Sequence, residues 1–149
     1  MNAGKKKLNT LLFGVYCTMM LWLLFHRAGP ADGLHYWEQI KMSINLIPLH
    51  TVMRYVRLLD SSRPVLVRLA VINLFGNVIM FIPLGFFLPL IFARLRRLWK
   101  TLITTLLSIS IIEILQLFTL LGSCDIDDLI LNLAGAAIGY GLYRMMPES

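Results

Sequence analysis

Four of the chain's eight acidic residues fall between Glu113 and Asp128. The run CDIDDLILN, from Cys124 to Asn132, sets three aspartates in four positions and returns at once to leucine and isoleucine. Carboxyls so grouped have three chemical uses. Paired acids serve as general acid and base, Asp and Asn oxygens suit Mg²⁺ or Ca²⁺, and an aspartate before a helix caps it and complements its dipole. Asp125 as N-cap, with Asp127 and Asp128 in the first turn, satisfies the last use without any ligand. Glu113 needs another account, because mid-helix backbone has no orphan group to cap. A carboxyl there is protonated, held by a cation or hydrogen-bonded to partners such as Asn77 and Asn132. Arg54 and Arg57 are the candidate cations. A divalent ion is the alternative, although the EF-hand pattern is missing, so no cofactor is expected.

The elements that position these groups are apolar. The chain has 149 residues, of which 58% are hydrophobic, and a mean hydropathy of +0.73. Soluble domains are about half apolar and a quarter charged, so a bilayer is the expected environment. Segments of about 20 apolar residues cross its core, and four fit: residues 8–25, 69–93, 101–121 and 126–143. The expected fold is an all-α integral membrane protein, a single membrane domain over residues 1–149 with four transmembrane helices. The first run is longer than a secretory h-region and no A-x-A-like site follows it, so it reads as a retained first helix.

Charge orients the bundle. The net charge of +6 would suggest nucleic acid in a soluble protein, but here it lies in loops beside spans, where the positive-inside rule accounts for it. Lys5, Lys6 and Lys7, then Arg94, Arg96, Arg97 and Lys100, then Arg144 mark cytoplasmic segments, while residues 121–125 carry no base. Both termini are therefore expected in the cytoplasm of a plasma-membrane protein, with residues 125–128 facing outward. Trp22, Tyr36, Trp37 and Trp99 suit aromatic belts. His26, His35 and His50 form no ligand spacing, and Cys17 and Cys124 are placed for neither a disulfide nor a metal site.

Between the first two spans, the only flexible linker is expected at Ala28 to Gly33, and an amphipathic helix begins near Pro48. Leu49, Val52, Met53, Val56 and Leu59 keep helical spacing opposite His50, Arg54 and Arg57. Such a helix lies along the membrane surface or dips into it.

Polar groups inside spans are costly in lipid and call for partners. Asn73 and Asn77 share one face of the second span, Glu113 and Gln116 one face of the third, and Asp125, Asp128 and Asn132 one stripe of the fourth. Measured from the outer ends, Asn77 and Glu113 lie roughly 12 Å deep and Asn132 roughly 10 Å. Three helices thus set polar side chains at one level, with Asn73, Gln116 and Asp128 above it, which predicts a polar pocket open to the outside. Gly135 and Gly139 make a GxxxG beside this stripe, read as close packing within the chain. Pro83 and Pro89 predict a kinked or partly unwound inner half of the second span.

NLIPLHTV at 45–52, NLFGNVIMFIPLGF at 73–86, EILQL at 113–117 and DIDDLILNLAGAAIGY at 125–140 together resemble the VanZ-like family of small bacterial membrane proteins. The motifs occur in the family's order and cover nearly everything after the first span. The matching positions are Asn45, Pro48, Asn77, Pro83, Gly85, Glu113, Gln116, Asp125, Asp128, Asn132 and Gly135. Leu49 departs from a usual Phe, and Gly122 from a frequent Arg that would bring a cation to the pocket mouth. The resemblance implies resistance to the lipoglycopeptide teicoplanin, with no mechanism attached. A binding protein would engage an amphiphile or lipid-linked wall precursor at the membrane surface, through Asn45, Arg54, Asn73, Asn77, Glu113, Gln116, Asp125, Asp128 and Asn132. The alternative is a membrane enzyme acting on a lipid-linked or phosphorylated substrate, with Glu113 and Asp128 as acid and base. A transport path fits less well, since the inner halves of the second and fourth spans are almost wholly apolar. No nucleic acid is expected, and the oligomeric state stays open.

Overall fold

The computed structural model describes residues 3–26 and 35–146, so the linker expected at Ala28 to Gly33 lies outside the described residues. The described chain is helical apart from one two-residue strand pair and a 3₁₀ turn at Ala93–Leu95. In order come α1 (Ala3–Phe25), α2 (Tyr36–Met42), β1 (Ile44–Asn45), α3 (His50–Leu59), α4 (Pro64–Ile91), α5 (Leu98–Thr119), β2 (Cys124–Asp125) and α6 (Ile126–Arg144). Three of these, α1, α4 and α5, are long and apolar enough to cross a membrane, where four were expected. The difference is α6, whose 19 residues include Asp127, Asp128 and Asn132 and which is less apolar for it.

Helix α4 starts on Pro64, whose fixed φ and missing N–H suit a first turn. It stays helical through Pro83 and Pro89 instead of unwinding. Each proline removes one intrahelical bond, a loss that packed neighbours compensate. Helix α5 ends where Leu120 turns left-handed, at φ 56, and the Leu121 N–H reaches back to the Gln116 carbonyl at 3.0 Å. That six-to-one bond is the Schellman closure, and it turns the chain into β2.

The main interface is α4 against α6. It is close because glycines meet backbone: a methyl at Gly85 would strike the Ala136 backbone, at Gly135 the Val78 carbonyl, and at Gly139 the Ile82 carbonyl. The GxxxG therefore packs within the chain. Helix α1 packs on α4, where Tyr16, Met20 and Leu24 cluster with Phe81, Leu84, Leu88 and, from α5, Ile109. The Tyr16 hydroxyl donates to the Met80 carbonyl at 2.7 Å. Replacing Tyr16 with Phe should cost about 1 kcal/mol and lower the thermal midpoint in detergent. An unchanged midpoint would show that this bond does not fasten α1 to α4.

The amphipathic segment begins at His50, not at Pro48. Leu49 adopts a left-handed φ of 63, so the chain cannot be helical before it. Helix α3 packs on α4, yet Leu49, Met53, Val56 and Leu59 remain exposed. The apolar face of α3 is thus turned away from the protein core.

Candidate functional site

The polar residues sort into two adjoining groups. The first ties the segment before α3 to the start of α6. β1 and β2 pair in parallel, Ile44 opposite Cys124 and Asn45 opposite Asp125, which brings the Asn45 amide within 3.2 Å of both Asp125 carboxylate oxygens. The Thr51 hydroxyl donates to Asp125 Oδ2 at 2.6 Å. Asp125 also caps α6 by accepting from the Asp127 N–H at 2.9 Å. Asp127, fully buried, reaches across to α3 and accepts the backbone N–H groups of Leu49 and of Val52, the latter at 2.9 Å. One helix's acid therefore caps another helix. The left-handed turn at Leu49 is what points that N–H at Asp127.

The second group lines a cavity of about 20 Å³ between α1, α4, α5 and α6. Asn77, Glu113, Gln116, Asp128 and Asn132 supply its polar wall, and Leu24, Phe81, Ile109 and Ile112 its apolar one. Gly122 and Ser123, from the turn between α5 and β2, complete it. The expected levels of Asn77, Glu113 and Asn132 thus meet in one place. The Asn77 amide donates to Asp128 Oδ1, and the Gln116 amide donates to the Leu24 carbonyl at 2.7 Å. Glu113 and Asn132 are 4% and 5% exposed, and Glu113 Oε1 and Asn132 Oδ1 have no hydrogen-bond partner within the protein.

Other candidates lie elsewhere. The Asn73 amide bonds back to Leu69 of its own helix at 2.8 Å. Arg54 is exposed, its guanidinium over the Tyr55 ring at 5.2 Å, and neither it nor Arg57 lines the cavity. Asn45 and Asp125 belong to the first group. Asp127 and Thr51 were not singled out as site residues. Asp127 sits one residue from Asp128, about 100° around the helix, so it leaves the pocket stripe and faces α3; only the strand pair reveals that partner.

Cys124 Sγ lies 3.7 Å from Glu113 Oε2. Burial first, and then the neighbouring carboxyl, pushes the Cys124 thiol up from its ordinary value. A reactive cysteine needs the opposite shift, toward thiolate. Among the described residues no three His, Cys, Asp or Glu side chains are grouped to hold a metal ion. What the cavity offers is a polar wall of side-chain amides and carboxyls at the end of the bundle where the turn between α5 and α6 lies.

The VanZ/LLP1 family model matches residues 13–147, which span the bundle, both polar groups and the cavity. Protein VanZ of Enterococcus faecium is 28% identical over 140 residues, covering 94% of this chain and 76% of that protein. No solved structure matches.

Proposed function

The chain belongs to the VanZ/LLP1 family, and from that premise we propose that it is a bacterial plasma-membrane protein that confers low-level teicoplanin resistance by engaging an amphiphile, or a lipid-linked wall component, at the outer membrane surface. In this reading α6 is the fourth span. Its outer-end acids are carried into the membrane boundary because hydrogen bonds hold them: Asp127 to α3 and Asp128 to Asn77. The lysines in the first turns of α1 and the bases between α4 and α5 support a cytoplasmic position for both termini, with residues 125–128 and the cavity facing outward. Helix α3 lies on that surface, with Met53, Val56 and Leu59 toward lipid and Arg54 and Arg57 toward head groups.

The observation that carries this reading is the meeting of Asn77, Glu113, Gln116, Asp128 and Asn132 around one cavity at that end. Its volume of about 20 Å³ is the space of one water-sized group. The site therefore takes one polar group of its ligand, and the apolar remainder stays against exposed helix faces and lipid.

The test is the inhibitory concentration of teicoplanin and of vancomycin in a susceptible Gram-positive host. Wild type should protect against teicoplanin alone. Glu113→Gln and Asp128→Asn, at normal membrane abundance, should fall back to the empty-vector level. Variants that protect as well as wild type would make the acids purely structural, and wild type that never protects would remove the resistance reading altogether.

A further inference from the structure

Helix α3 has three sides, and the protein covers one. At about 100° per residue, Thr51, Tyr55 and Leu58 fall together on the side turned to the protein, Thr51 buried and the other two half-buried. Met53, Val56 and Leu59 form an exposed apolar side, and His50, Arg54 and Arg57 an exposed basic side next to it. The Arg54 guanidinium lies over the Tyr55 ring at 5.2 Å, a contact that steadies it without using its N–H donors. The flanking chain adds to the charge: residues 35–68 carry Lys41, Arg54, Arg57, Arg63 and Arg68, all exposed, against the acids Glu38 and Asp60. The positive-inside rule accounts for bases in cytoplasmic segments. It gives no reason for these on the opposite side, whereas a partner of opposite charge does.

Resting on the outward placement of α3 proposed above, we infer that this helix selects anionic phospholipids of the outer leaflet, with Arg54 and Arg57 on the lipid phosphate and the apolar side in the acyl region beneath it. The adjacency of the two exposed sides chooses the occupant. Arginine pairs with phosphate through parallel N–H bonds, and a lipid brings hydrocarbon on the same molecule to cover Met53, Val56 and Leu59. A soluble phosphate or an acidic protein surface would satisfy the arginines and leave those side chains in water, against the hydrophobic effect. A zwitterionic lipid would cover them, but its own cation beside the phosphate offsets the attraction to arginine. Leu46 and Ile47, exposed just before the helix, supply further apolar surface for the same hydrocarbon.

The test uses the full chain in phosphatidylcholine bilayers, with Met53→Trp as reporter on α3 and Trp22, Trp37 and Trp99 changed to Phe. Quenching by brominated phosphatidylglycerol and by brominated phosphatidylcholine gives the relative affinity of the two lipids at that helix. Phosphatidylglycerol should be preferred by about tenfold or more, since each base at an anionic surface contributes about fivefold. Arg54→Gln together with Arg57→Gln should bring the ratio near unity, and high salt should do the same without them. A second chain keeping Trp99 alone reports the other end of the bundle, and its ratio should not change with the arginine variants. Equal quenching by both lipids, or a preference that survives loss of both arginines, overturns the inference. So does a matching loss at Trp99, which marks a bundle-wide change. A preference abolished by inorganic phosphate but not by chloride at equal ionic strength would make α3 a free-phosphate site and also overturn it. The antibiotic assay separates the two readings. Protection that needs Glu113 and Asp128, with no lipid preference at α3, sinks this inference alone; a wild type that never protects, with the preference intact, sinks only the functional one.

Discussion

Replacing Asp127 with alanine should release α3 from the bundle and cost about 3 kcal/mol or more. Asp127 is fully buried and accepts the backbone N–H groups of Leu49 and Val52, two donors at a helix start that have no intrahelical partner. Hydrogen bonds to a charged group contribute about 1.5–3 kcal/mol each, and alanine leaves both donors buried without an acceptor. Asp127→Asn should fall between the two, since its amide keeps one acceptor oxygen and turns an NH₂ toward the second donor. Hydrogen exchange reads this directly: the Leu49 and Val52 amides should lose protection while those of the α4–α6 interface keep theirs. Exchange at α3 equal to wild type would show that helix packing alone holds it. The Asp127 variant also asks whether α3 matters to resistance, because it loosens the surface helix without altering a residue that lines the cavity.

A single methyl at Gly135 or Gly139 should be about as damaging, for a different reason. The atoms it would meet are backbone, the Val78 carbonyl at Gly135 and the Ile82 carbonyl at Gly139. No side-chain rotation relieves that contact, so α4 and α6 must separate. Overpacking of this kind costs about 1–3 kcal/mol, or about 2–4 °C per kcal/mol for a chain of this size. Gly141→Ala is the internal control: a methyl there meets nothing within 4 Å, and alanine is the better helix former by about 1 kcal/mol. Gly135→Ala and Gly139→Ala should therefore lower the thermal midpoint, and Gly141→Ala should hold or raise it. If all three behaved alike, helix propensity and not the glycine contact would set stability. Asn77, Asp128 and Asn132 sit on the two helices that this contact joins, so the same variants should also disturb the cavity's polar wall.

How the site was read from residue order follows from periodicity and depth. Asn77, Glu113 and Asn132 can be placed at one level because a helix rises by a constant 1.5 Å per residue and polar groups in lipid must find partners. The N-terminal cap at Asp125 is local chemistry, fixed by the residues beside it, and the structure has it accepting from the Asp127 N–H. Composition placed the chain in a membrane for the same kind of reason, since the apolar content of α1, α4 and α5 is a property of each segment alone. Helix α3 starts two residues after Pro48, itself a good local helix start, because the turn at Leu49 is stabilised by a carboxylate 78 positions away.

Sequence by itself therefore determined the membrane class, the helices α1, α4 and α5, the cap on α6, and a face of polar residues on α4, α5 and α6. Tertiary structure decided what those faces meet. Gly85, Gly135 and Gly139 set how near α4 and α6 approach, and the β1–β2 pair brings Asn45 and Thr51 to Asp125. The 100° step between Asp127 and Asp128 sends one acid to α3 and the other to the cavity. Periodicity reports the direction of a side chain relative to its own helix axis; the partner it finds depends on how the helices are rotated and how closely they pack, which are properties of the assembled bundle.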